Sequence, residues 1–214
     1  TLYGSPAPAG APMMGPRGPS KTTVLLGLQG LAALRTDLRW ADVFSRQGVA
    51  FVSLSQPGFL FGEKGLSPEG QTIIEALGKA NLLVIATGLT PAQAKALLSA
   101  TKKPVILQTS TVPDGDTLGL VKNSASTLGL ILGKDENAST YFTRLDAVKK
   151  AIGAEYLSIV AEHSLWQAPG KEQMLSVFAG MLEAKYSLED LANLTSGSFM
   201  RALNRARAAD TTRP

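Results

Sequence analysis

The sequence contains no cysteine, which removes disulfides and thiolate metal sites and leaves the redox compartment open. It contains one histidine, His163, whereas a zinc hydrolase normally gathers several imidazoles. Aromatic residues are 6% of the chain and are not interleaved with the basic ones, so nucleic acid is not an expected partner. No apolar run approaches the roughly 20 residues that span a bilayer, so no transmembrane segment is expected. The N-terminus lacks the charged-then-apolar order of a signal peptide, although a leader removed ahead of Thr1 stays open, as does the compartment. There is no G-x-x-x-x-G-K phosphate loop, and Ser53, Ser55, Ser110 and Ser164 lack the G-x-S-x-G context of an activated nucleophile.

What is present describes a globular chain. Hydrophobic residues are 44% of 214, ample for a core. Net charge is +4, and part of the excess, Arg201, Arg205, Arg207 and Arg213, lies near the C-terminus, where it reads as a solvated helix face and tail. Residues 1–20, rich in Pro, Gly and Ala, read as an arm or linker; 21–206 form the folded unit, and 207–214 a basic tail.

Within the folded unit, apolar runs at 23–28, 49–54, 82–86, 104–107, 127–132 and 156–160 are short and bounded by polar residues, as strands covered on both faces should be. Between them lie helical patterns. Ser67 caps a helix; Thr90, ahead of Pro91, caps another; Asp114 caps a third, to about Asn123. A helix is predicted over 36–47 with Leu38, Val43 and Phe44 inward, and another over 136–152 with Phe142, Leu145, Val148 and Ile152 inward. Helices over 171–185, 187–194 and 196–206 close the chain. Six strand-then-helix units in alternation predict an α/β fold, a parallel sheet curling as a partial TIM-type (β/α) barrel. Two units of the usual eight are lacking, and the open edges call for a companion: a further N-terminal segment, a second polypeptide or a homo-oligomer mate.

The stretch GLSPEGQTIIEALGKANLLVIATGLTPAQAKALLSATKKPVILQTS, together with LLGLQGLAALRTDLRWADVFSRQGVAFVSLSQPG upstream and EAKYSLEDLANLTSGSFMRAL near the end, resembles the membrane dipeptidase (renal dipeptidase) family of zinc peptidases. The resemblance covers nearly everything from Val24 to Leu203. It implies a barrel with its chemistry at the C-terminal ends of the strands, and it also implies which residues stand where the family holds metal and substrate. Gly88 and Thr109 occupy the places of two metal-binding histidines, Gln29 that of the bridging glutamate, and Gln56 that of a substrate-contacting histidine. A substrate-gripping arginine falls near Pro113, and a catalytic aspartate falls on Glu162.

Amides and hydroxyls are poor ligands for a dication that wants carboxylate or imidazole. No metal site is therefore expected. Glu162 is the one candidate catalytic group, with a hydrogen-bonded structural role as the plainer reading; extended backbone points it away from the adjacent His163, so the two form no dyad. Gln29, Gln56, Thr109 and His163 are the candidate binding residues, suited to a small peptide or amino acid. The expected function is a non-catalytic, metal-free, dipeptidase-like subunit. The alternative is a dipeptidase-like metallohydrolase whose zinc ligands come from a missing segment or partner.

Overall fold

The computed structural model describes residues 25–55, 57–63, 65–161 and 170–208. Strand β1 (Leu26–Gln29) leads through two short helices, α1 (Ala32–Thr36) and α2 (Trp40–Arg46), to β2 (Val49–Ser55). A small antiparallel hairpin, β3 (Phe61–Gly62) and β4 (Gly65–Leu66), precedes α3 (Pro68–Lys79). Strands and helices then alternate: β5 (Leu83–Thr87), α4 (Pro91–Ala100), β6 (Val105–Thr109), α5 (Gly115–Asn123), β7 (Thr127–Leu132), α6 (Ala138–Ile152) and β8 (Leu157–Ala161). Helices α7 (Gly170–Glu183), α8 (Leu188–Ala192) and α9 (Ser198–Arg207) follow, the last two joined through a π-helical turn at Asn193–Gly197.

The main sheet has six strands in the order β1-β2-β5-β6-β7-β8, every neighbouring pair parallel. Among the described residues, hydrogen bonding is therefore satisfied inside the sheet and open along β1 and β8. This is an α/β partial barrel, as the alternation of apolar runs and helical patterns predicts.

The helix starts are fixed by local chemistry. The Ser67 side chain accepts from the Gly70 N–H, Thr90 makes a full capping box with Gln93, and Asp114 accepts from the Thr117 N–H. Each satisfies donors that the first turn leaves unpaired.

Two helical expectations need correction. The helix predicted over 36–47 is broken, because the Asp37 carboxylate accepts from the Arg39 N–H at 2.9 Å and pairs with its guanidinium, offering the backbone a turn instead of a helix. The second half restarts at Trp40, so Ala41 is buried and Phe44 packs on the core, while Leu38 and Val43 are exposed. The second correction is at the end of the chain, where the two helices predicted over 187–206 run together through the π-turn, whose cap residues keep right-handed helical dihedrals. In α6 the buried face holds Leu145, Val148 and Ile152 as expected, with Phe142 partly buried and Tyr141 wholly buried.

The sheet register sorts the core into two sides. Val52, Val84 and Val105, then Leu54, Ala86, Leu107, Leu128 and Leu157, face the layer formed by α3 to α7. On the other, inner side, Leu83, Ile85 and Ile106 pack against Ala202, Leu203 and Ala206 of α9, and Phe199 meets Phe51 edge-on at 6.2 Å. Helix α9 is anchored at the N-terminal ends of the strands: Ser198 Oγ donates to Ala154 O at 2.9 Å, Thr127 Oγ1 donates to Ser198 O at 3.2 Å, and Arg201 reaches Glu155 O at 3.0 Å. Arg201 is thus a structural tie and not part of a solvated tail.

Candidate binding face at the strand ends

Above the apolar floor closed by α9, the inner side of the sheet becomes polar. Parallel register aligns Gln29, Ser53 and Ile85 in one row, and Ser55, Thr87, Gln108, Gly129 and Ser158 in the next row toward the strand C-termini. Thr87 Oγ1 donates to Gln108 Oε1 at 2.8 Å across the β5–β6 pair. A Cβ on Gly129 would lie 2.7 Å from Val160 Cγ2 and 3.1 Å from Gln108 Cγ, so glycine there lets neighbouring side chains close over the sheet. Ser158 is buried, and Ser53, Thr87 and Gln108 are half-buried. Apart from Ile85, which belongs to the floor, and Gly129, these rows hold amides and hydroxyls, with no charged side chain among the described residues.

The loops around this face are braced from the helix side. Arg144 of α6 donates through Nε to Glu136 Oε1 at 2.9 Å, and its guanidinium also bonds Glu136 Oε2, Ser110 O after β6 and Ile131 O in β7. Both charged side chains are only 18% exposed, so the pair is shielded from screening. Gln173 of α7 donates to Gly133 O at 3.1 Å and to Glu136 O. Next to this brace, the Tyr141 hydroxyl donates to Leu130 O at 2.8 Å, and burial pushes its pKa well above the usual phenol range, keeping it a donor.

The candidate residues fall in different places. Gln29 ends the edge strand on the inner side and is exposed. Thr109 shares its row with Leu130 and Ile159, on the helix-facing side, and its hydroxyl accepts from the Thr111 N–H at 3.1 Å and donates to Thr111 O. It therefore serves a turn and does not join Gln29. Gly88 is exposed at φ +74°, a left-handed conformation that a side chain resists. Gln56, Glu162 and His163 lie outside the described residues. The polar side chains that the fold does bring together, Thr87 and Gln108, each sit one residue before the positions singled out in the sequence. A polar residue closing an otherwise apolar strand was the available signal, and the register decides which of two adjacent ones faces inward.

The dipeptidase resemblance implies zinc, and the described residues do not fit it. No group of three His, Cys, Asp or Glu side chains converges among them, and neutral hydroxyls and amides would not neutralise a dication. What the face can do is donate and accept hydrogen bonds with a neutral polar partner, for which backbone amides of a small peptide are well matched.

No protein-family profile matches the chain, and no curated protein matches it. Solved structures do. The chain is similar to the probable dipeptidase PvdM from Pseudomonas aeruginosa at TM-score 0.68 and 14% identity, covering 86% of this chain and 69% of that one. A metallo peptidase from Rhodobacter sphaeroides, liganded with a phosphinate mimic of the dipeptide L-Ala-D-Ala, matches at TM-score 0.67 and 13% identity, over 85% of this chain and 63% of that one. The dipeptidase AC, a metallo peptidase of family M19, matches at TM-score 0.68 and 14% identity, over 86% and 64%. The chain thus spans about two-thirds of the length of these neighbours, and at such identity the likeness establishes a shared fold, that of dipeptidase-like hydrolases.

Proposed function

We propose that this chain is a non-catalytic, metal-free, dipeptidase-like protein with a structural or binding role, working as a subunit of a larger assembly in which another polypeptide completes the barrel. The observation that carries this reading is where large apolar side chains are exposed. Leu26, on the open edge strand β1, is 53% exposed, and Leu38, Trp40 and Val43 lie bare on the neighbouring helical segment. At the other end, Leu175 and Leu182 of α7, 58% and 63% exposed, stand on the last helix of the outer layer, with Leu188 beyond them. Exposed apolar residues thus lie on the β1 edge and on α7, the helix that follows β8 and packs on α6, as on a surface built to be covered. Two strand–helix units would pair with β1 and β8 and bury these side chains under their helices. A second copy, bringing six strands, would overfill an eight-stranded barrel, which favours a different polypeptide over a homo-oligomer mate. Within the assembly, the neutral inner face, with Thr87 and Gln108 joined by Gln29 and Ser53, would hold a small peptide. Gln56, Glu162 and His163, outside the described residues, stay candidates for binding, and Glu162 for any catalytic step, whereas Thr109 serves a turn on the helix side.

A second reading draws on the structural neighbours, two of which are metallo peptidases. In it the chain is part of a dipeptidase-like metallohydrolase whose zinc ligands come from a missing segment or partner. Light scattering on the native protein, with elemental analysis for zinc on the same sample, separates the two. A mass exceeding one chain, with no stoichiometric zinc, is the expected result. One or two zinc ions per assembly, with hydrolysis of a dipeptide such as L-Ala-D-Ala, would establish the enzyme instead.

A further inference from the structure

Buried hydroxyls in this fold have structural tasks, with one exception on the sheet. Ser126 Oγ accepts from the Val105 N–H at 3.0 Å, while Thr127 and Ser198 anchor α9. Ser158, in β8, is only 5% exposed, and its hydroxyl bonds to no described residue. Thr117 Oγ1 in α5 also lacks a partner, but it is sealed from solvent, whereas the Ser158 hydroxyl keeps an opening to the inner face. Leaving a buried hydroxyl unpaired is costly, and such groups persist where a ligand completes them.

Gln108 supplies a second donor beside it. Its Oε1 is taken by the Thr87 hydroxyl at 2.8 Å, which fixes the carboxamide and leaves its NH2 bonded to no described residue. With the oxygen so engaged, the group offers its two N–H bonds. Gly129 stands between the two donors, paired with Gln108 on one side and with Ser158 on the other. From the point where a Cβ on Gly129 would lie, Gln108 Cγ is 3.1 Å away and Ser158 Oγ 3.7 Å. Both donors therefore border the same shallow gap, which the missing side chain leaves open. In the next row toward the strand ends Ile131 pairs with Val160, both half-buried, and Val160 Cγ2 comes within 2.7 Å of that point.

Two neutral donors beside aliphatic side chains suit a carbonyl oxygen. A carboxylate would accept the same bonds, but among the described residues this face holds no cation to offset its desolvation. An amide carbonyl takes both hydrogen bonds without that cost.

Resting on the reading of the inner face as a peptide-binding surface, we infer that Gln108 and Ser158 form a subsite for a backbone carbonyl, and that the face takes an uncharged, end-blocked peptide in preference to one with a free carboxylate. The probes are N-acetyl-L-alanyl-L-alanine amide and the corresponding free acid, titrated into the full chain labelled with nitrogen-15 and followed by NMR. The expected result is saturable shifts confined to residues 85–88, 107–110, 128–132 and 157–161, including the Gln108 NH2 pair, with the free acid binding about tenfold more weakly. Gln108→Glu keeps the shape and exchanges the donor for an acceptor, so it should weaken the blocked peptide by about tenfold or more. Ser158→Ala should weaken it by about 2–10-fold while the thermal midpoint stays or rises, because no bond within the protein is lost. The free acid binding as tightly as the amide, binding indifferent to Gln108→Glu and Ser158→Ala, or a lowered thermal midpoint in Ser158→Ala would each overturn the subsite while leaving peptide binding on this face intact. Shifts centred elsewhere, or none with either peptide up to about 10 mM, would overturn the peptide-binding reading and the subsite with it.

Discussion

At the scale of single residues, the fold leans on places where a side chain is absent. Gly70 lies under the loop before the hairpin, and a Cβ there would sit 2.1 Å from Leu60 O, a backbone atom that cannot step aside. Gly70→Ala is therefore expected to destabilise the protein by more than about 3 kcal/mol, among the larger single-residue effects. A urea midpoint close to that of the parent would show that the loop yields instead. Gly88 is a different case. Gly88 is exposed, and the obstacle to a side chain is backbone conformation, φ +74°. Installing an imidazole there, Gly88→His, should cost about 1–2 kcal/mol, the penalty of a left-handed residue with a Cβ. Stability unchanged in chemical denaturation would mean that the turn can relax to another conformation. The residue that the dipeptidase resemblance sets in the place of a metal-binding histidine is thus held in a backbone state suited to glycine.

At the scale of elements, the caps and the α6–α8 corner make quantitative expectations. Ser67→Ala and Thr90→Ala should each cost about 1 kcal/mol in chemical denaturation, since each removes the acceptor for a first-turn amide. At the corner, Asp146 pairs with Lys150 at 2.6 Å and accepts from the Tyr186 hydroxyl at 3.0 Å. The hydrogen bond from Lys150 is the main influence holding the Asp146 carboxyl below its ordinary pKa. A lowered carboxyl stabilises the fold fully above its unfolded pKa, about 4, and that contribution is lost as pH falls through the folded value. Burial, then the bond to Asp146, raises the Tyr186 phenol. A raised phenol stabilises fully below about pH 10 and loses its contribution as pH climbs through the folded value. Urea midpoints across pH should fall at both ends, and Asp146→Asn should flatten the acid limb. An acid limb as steep in that variant would place the titrating group elsewhere. Much at this scale is legible in the sequence: Ser67, Thr90 and Asp114 announce their helices, and β7 is legible from its apolar run alone. The break at Asp37 is not, because a two-residue contact with Arg39 overrides a plausible helical period. Nor is the choice between Gln108 and Thr109, which the strand sequence leaves equal and pairing with β7 decides.

At the scale of the whole molecule, the open edges govern behaviour in isolation. Leu26→Lys, Val43→Lys and Leu182→Lys should lower self-association of the chain measured by light scattering, while leaving its circular dichroism unchanged, because each residue is already exposed. If the proposed companion polypeptide docks on these edges, the same changes should weaken its capture; undiminished capture would place its docking surface elsewhere. The strand order has a consequence of another kind, in time. Each strand of the sheet pairs with a neighbour adjacent in the β1-β2-β5-β6-β7-β8 order, so the sheet can be laid down unit by unit as the polypeptide leaves the ribosome. Helix α9 breaks that sequence of events. Its end reaches back to Lys103, 105 residues earlier, and its small side chains are what cover Leu83, Ile85 and Ile106. Until α9 has been synthesised, the six-stranded sheet displays a bare aliphatic floor, and the nascent chain at that moment is the form a chaperone would hold.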